Sequence, residues 1–316
     1  MKEQQTILGA VDPEIAEGLT TRRELIAAGA RMSPGLAAGL ALGSIPVAFA
    51  ALARDAYGQA PGSVQDVINF ALMLEIFENE LYKAVLGTSA STVQNAAFAP
   101  VRALVPPSVV PAIQQLQKHE AQHVAFLVAN GAQNVLQLDA NSFDFTGARG
   151  AGNGPFARAT LELPFLLLVA QAVEDTGVRA YKGQAPNLHA AGNTVVLEAA
   201  LRIHSVEARH AAKIRRLRRT TGAPSAVRWS GTVQGGGAAA AGATNVTNPP
   251  AAVVAALEAI YANEQNTTHA GVNVTTLSGL PAGMNSGAFS AAFDEPLTKA
   301  EVRAIVQPFF RPDIPA

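Results

Sequence analysis

The chain has no cysteine, which excludes disulfides, thiolate-held metals, iron–sulfur clusters and cysteine nucleophiles. That absence selects no compartment, since a cysteine-free chain suits the periplasm as well as the cytosol. Charge is also scarce. Only 15% of the 316 residues are charged and the formal net charge is −1, without the basic excess of a general nucleic-acid binder, so no nucleic-acid partner is expected. No phosphate-binding loop, dinucleotide fingerprint or serine nucleophile elbow is present. What the chain has instead is apolar material: 49% of its residues are hydrophobic, enough to bury a sizeable core. Any metal it holds must be bound by oxygen and imidazole nitrogen, a donor set suited to iron, manganese or zinc.

Three regions differ in composition. Residues 1–60 contain Thr20-Thr21-Arg22-Arg23-Glu24-Leu25-Ile26 followed by an uncharged Ala/Gly-rich run over residues 32–53. Adjacent arginines before a moderately hydrophobic run resemble a twin-arginine export signal, and Ala48-Phe49-Ala50 and Ala51-Leu52-Ala53 offer small-x-small cleavage sites. A cleaved signal is the first reading. An uncleaved membrane anchor is the second and a buried helical hairpin the third. Export to the periplasm or beyond is therefore expected, with membrane association if the segment stays. Residues 61–220 carry the strong helical patterning, and residues 221–316, glycine-rich at Gly235-Gly236-Gly237, read as an extension packing on it. Within that extension a short helix is expected near residues 250–262, and Thr298-Lys299-Ala300-Glu301 forms a capping box before Val302, Ile305 and Val306.

The middle region predicts four amphipathic helices. The first starts at Ser63 and ends near Gly87; the second runs from Pro107 or Ser108 to about Asn130. A glycine- and asparagine-bearing connection spans residues 131–155. The third helix begins near Pro155, or at Pro164, and stops before Gly183; the fourth follows a Pro186-Asn187 break and runs from about Asn193 to Thr220. Two short connections and one long crossover between the second and third helices describe an all-α four-helix bundle.

Chemistry enters through a repeated device. Glu120-Ala121-Gln122-His123 and Glu207-Ala208-Arg209-His210 each place a carboxylate and an imidazole on one helix face. Both lie on the stripe that should be apolar, beside Leu116 and Leu127 in one case and Ile203, Ile214 and Leu217 in the other. Buried, unpaired carboxylates cost several kcal/mol, so convergent pairs imply a partner such as a metal pair. The helix before each pair carries a glutamate and, seven residues on, a tyrosine: Glu75 with Tyr82, Glu174 with Tyr181. The repeat thus nominates Glu75, Glu120, His123, Glu174, Glu207 and His210 as metal ligands, with Glu78 the alternative to Glu75 at spacing i, i+3. Tyr82 and Tyr181 become candidates for a hydrogen bond to a carboxylate or for a redox-active phenol, or are plain core tyrosines. Four carboxylates and two imidazoles suit two iron or manganese ions better than zinc. His119 and His204 adjoin the metal-binding positions and are expected to face away or to flank the site, while His189 and His269 fall in loops and Arg215, Arg216, Arg218 and Arg219 suit the end of the last helix.

The bundle resembles the ferritin-like superfamily and, within it, the desiccation-related ferritin-like proteins. The stretches carrying the likeness are residues 74–82, 170–181 and 293–298. The resemblance implies that Glu120 and Glu207 bridge two metals, with Glu75 and His123 completing one and Glu174 and His210 the other. Taken with the export reading of residues 1–60, it points to an exported di-iron or di-manganese protein reacting with O2 or peroxide, in iron oxidation, peroxide detoxification or related stress protection. Its partners would then include Fe(II), an external electron donor and further copies of the chain. The competing expectation is a stress-related structural protein whose bundle is metal-free or uses metal only for stability.

Overall fold

The computed structural model describes residues 63–221, 250–269, 271–280, 289 and 293–314. The export-signal, anchor and hairpin readings of residues 1–60, and the glycine-rich stretch, lie outside the described residues. Among the described residues no helix is long and apolar enough to cross a membrane.

Helix α1, Val64–Leu86, begins at a capping box: the Ser63 hydroxyl accepts the Asp66 N–H while the Asp66 carboxylate accepts the Ser63 N–H. It ends on Gly87, whose φ of 78° suits the left-handed C-cap. Two short helices, α2 (Thr92–Ala97) and α3 (Ala99–Arg102), lead to α4, Val110–Ala129. A crossover follows, closed by the 3-10 turn Ala157–Thr160, before α5, Leu163–Ala190, and α6, Thr194–Thr220. Asn193 caps α6 by accepting the Val196 N–H. Helix α1 packs on α4, α5 on α6, and α1 on α5. The extension adds α7 (Ala251–Ile260) and α8 (Lys299–Val306), with a two-residue strand pair at Thr268–His269 and Val272–Asn273. The result is the all-α bundle with one long crossover, followed by an irregular extension of short helices.

One open boundary is resolved and another differs from expectation. Helix α5 starts at Leu163 rather than near Pro155, because Pro164 sits in its first turn, where a missing N–H removes no hydrogen bond. It then continues past Gly183 and through Pro186 to Ala190. The buried Gln184, Ala185 and Leu188 hold that last stretch by packing, which overrides the proline. Gly183 does not end the helix; a Cβ there would overlap the carbonyl oxygen of Leu297. The extension lies that close to α5, and the Leu297 N–H donates to the Arg179 carbonyl at 3.1 Å.

Arg179, only 1% exposed, fastens the same region: its guanidinium donates to the carbonyls of Ile260, Ala262 and Glu295. On α1, Phe77 packs against Phe143 and Phe145 of the crossover and Phe309 and Phe310 of the extension, with ring centroids 5.5–6.0 Å apart. Helices α1 and α5 are therefore buried almost all round. That burial is what makes charged groups on them informative.

Candidate metal centre

Glu75, Glu120, Glu174 and Glu207 are each 0% exposed, and they come from α1, α4, α5 and α6 in turn. His123 and His210 join them one helical turn beyond Glu120 and Glu207. Around His123 Nδ1 lie Glu75 Oε2 at 3.0 Å, Glu120 Oε2 at 3.1 Å and Glu207 Oε1 at 3.2 Å. Around His210 Nδ1 lie Glu120 Oε1 at 2.8 Å, Glu174 Oε2 at 3.2 Å and Glu207 Oε2 at 3.8 Å. Two donor groups result, Glu75–Glu120–His123–Glu207 and Glu120–Glu174–Glu207–His210, with the donor atoms of each within 4.8 Å of one another. Glu120 and Glu207 belong to both.

The groups crowd together without satisfying one another. Glu120 Oε1, Glu174 Oε2, both Glu207 oxygens and His210 Nδ1 are buried and have no hydrogen-bond partner, although the distances are short enough for ion pairing. Buried polar atoms left this way cost about 1–3 kcal/mol each, and more when charged. A cation at each focus would satisfy carboxylates and imidazole together, so the residues present fit a pair of metal ions.

The electrostatics show the same strain. Burial, then the Glu207 charge, pushes the Glu75 carboxyl up to about 8. Burial likewise lifts Glu78 and Glu174 well above the carboxylate range. Glu207 is held down at about 2: burial opposes its charge, but His123 and His210 outweigh burial. Burial also disfavours charge on His123, yet Glu120, Glu207 and Glu75 drive it up to about 12, and His210 is raised for the same reason.

The tyrosines are placed crosswise. Tyr82 on α1 donates its hydroxyl to Glu174 Oε1 on α5, and Tyr181 on α5 donates to Glu75 Oε1 on α1. In each case the phenol takes the carboxylate oxygen that faces away from the imidazole, leaving Oε2 toward it.

Glu78 stays outside both donor groups although it is 2% exposed. It lies beside Glu207: a Cβ built on Gly177 would be 3.0 Å from Glu78 Oε1 and 3.3 Å from Glu207 Oε2. Gly177, in the middle of α5, thereby clears room for two carboxylates, and the only sequence signal for this was a glycine inside a helical pattern. Of the two readings for His119, the structure places it at the flank of the site rather than facing away. Its Nδ1 is 2.8 Å from His210 Nε2, the rings stack at 5.1 Å, and Gln115 Nε2 is 2.5 Å from its other nitrogen. His204 instead contacts the Val178 carbonyl at 3.0 Å, off the cluster. Arg215 reaches back to Asp175 at 2.6 Å and Arg218 to Gln171, so these cations near the end of α6 are also tied to α5. His269, placed in a loop by the sequence, is a buried strand residue 3.6 Å from Glu295.

No curated protein and no solved structure matches the chain. Residues 63–220, half of the chain and the same four helices that bring these carboxylates and imidazoles together, match the family described as ferritin-like domain, and the chain belongs to that family.

Proposed function

We propose that Glu75, Glu120, His123, Glu174, Glu207 and His210 hold two iron or manganese ions that react with dioxygen or peroxide. The observation carrying this is the pair of imidazole nitrogens, each ringed by three carboxylate oxygens, with Glu120 and Glu207 common to both rings. Two such ions would supply one electron each, enough to reduce dioxygen to peroxide or a peroxide to water. Glu120 and Glu207 span the two positions, and Glu75 and Glu174 each turn one oxygen inward while a tyrosine holds the other. His210 can bind through Nδ1 only when its Nε2 carries the proton and donates it to His119 Nδ1. His119 then carries its own proton on Nε2, which Gln115 can accept through its amide oxygen when the amide is turned. His119 and Gln115 thus set the tautomer of His210.

Elemental analysis of the full chain, expressed with iron and manganese supplied, tests the reading. About two ions per chain are expected, and a Glu120→Ala/Glu207→Ala variant should lose both. Fe(II) oxidation and peroxide consumption should fall with them. Wild-type protein without metal, or a variant that keeps its metal, overturns the site. Metal lost with unchanged turnover overturns the chemistry and leaves the metal a structural role.

A further inference from the structure

Among the described residues, the two imidazoles of the cluster differ in their access to a cavity. A cavity of about 540 Å³ opens between α1, α4, α5 and α6, and both His123 and Tyr181 line it. Neither His210 nor Tyr82 does, and the side chains of His123 and His210 are 12% and 4% exposed. The Glu75–His123 half of the repeat therefore faces a chamber, while the ring of His119 stacks over His210 on the other half. The walls are mostly apolar, with aliphatic Ile68, Leu127, Val196 and Ile203 beside the rings of Phe70 and Phe126. The volume falls within the roughly 300–1,000 Å³ of small-molecule sites and is several times the ~150 Å³ that admits benzene.

The charge lining the cavity narrows the ligand. Glu198 and Arg202 both reach it, but Arg202 Nη2 bonds Glu198 Oε1 at 2.5 Å, so its cation is already paired. The other polar liners, Gln122, Asn130 and Gln184, are uncharged amides suited to a hydroxyl or carbonyl. A carboxylate or phosphate meets, among the described lining residues, only cations that already have partners, Arg202 bonded to Glu198 and His123 ringed by Glu75, Glu120 and Glu207, and a purely aqueous filling would face mostly apolar walls.

We infer that this cavity binds a neutral, mainly hydrocarbon small molecule with its inner end against His123 and Tyr181. This names the substrate class of the centre proposed above and rests on that reading, so the binding test is run on metal-free protein. There, failure to hold hydrocarbon and failure to hold metal are read separately.

The probe is aminoanthracene, whose fluorescence on binding to the full chain is followed and then reversed with dodecanol. Saturable binding is expected, with dodecanoate competing about tenfold less well than dodecanol. Ala200→Trp, which fills the cavity, and Val196→Asp, which charges its wall, should each weaken dodecanol about tenfold with helical content unchanged. Isotope-labelled histidine places the ligand: dodecanol should move the His123 resonance, assigned by its loss in His123→Gln, and leave that of His210 in place. Absence of saturable binding overturns the inference. So does binding that both variants leave intact, equal binding of dodecanoate, or a His123 resonance that does not move.

Discussion

At the scale of single residues, the crossed tyrosines offer the test that separates a metal-holding cluster from a merely buried one. Tyr181 and Tyr82 fix Glu75 and Glu174 by bonding the oxygens turned away from the imidazoles. Removing either hydroxyl frees its carboxylate to rotate, and loss of such an outer partner costs about 10–100-fold in metal affinity. Tyr181→Phe should weaken the ion beside His123, and Tyr82→Phe the ion beside His210, each by about that factor in competition with a chelator. Affinities within about twofold of wild type would mean that the phenols are simply satisfied core groups. The seven-residue spacing from glutamate to tyrosine was visible in the sequence, and it put the two on one helix face. It could not show that each tyrosine serves the glutamate of the other helix, since periodicity orders a face and says nothing of its partner. The placement of His119 stayed open for a related reason. It precedes Glu120 by one residue, about 100° of helix rotation off that face, and only the approach of α6 brings His210 to its ring.

At the scale of elements, the four helices were legible because length and apolar stripe agreed over residues 63–220, with a side-chain cap at the first and the last. The end of α5 was not, because Gly183 and Pro186 carry helix-stopping signals that tertiary packing overrides. Their meaning lies in the extension: Gly183→Ala forces the backbone at Leu297 away from α5, a misfit of about 1–3 kcal/mol. It should lower the melting temperature and open the segment around Leu297 to protease, and protection equal to wild type would count against the close approach. The extension also brings in a titrating group. Burial, then Asp294, pushes the Glu264 carboxyl up to about 8 from an ordinary 4.5, against the pull of Arg179. Between those values the folded chain keeps a proton that the unfolded chain has released, so stability falls as pH rises through that window and levels off above it. Other buried carboxyls act in the same window, so the difference between Glu264→Gln and wild type is the informative quantity. The variant should show a shallower fall in denaturation free energy from pH 4.5 to 8, and an identical slope would remove Glu264 from the account.

For the whole molecule, the question is why a bundle should bury Glu75, Glu78, Glu120, Glu174 and Glu207 within one core. Without metal, the chain holds them only by protonating some and by charging both histidines, as the raised Glu75 and His123 and the lowered Glu207 show. Several oxygens and His210 Nδ1 still remain unbonded. Two divalent ions offset four of the five negative charges and let both imidazoles be neutral ligands, which is why the ions should act on folding as well as on chemistry. Each ion bound only by the folded chain adds about 2.7 kcal/mol of stability at a hundredfold excess over its Kd, or roughly 5–10 °C for a domain of this size. Chelation should therefore lower the melting temperature by that order, and Mn(II) or Fe(II) should restore it in a concentration-dependent way. Glu207→Ala, which removes a carboxylate common to both donor groups, should melt at one temperature whether or not metal is present. The sign of its metal-free shift is also fixed. Glu207 is the carboxylate that His123 and His210 hold ionised, so its loss leaves two cationic imidazoles short of a partner and the apo variant should melt below apo wild type. A wild-type melting temperature indifferent to chelator and metal alike would show that the bundle carries its buried charge by protonation alone.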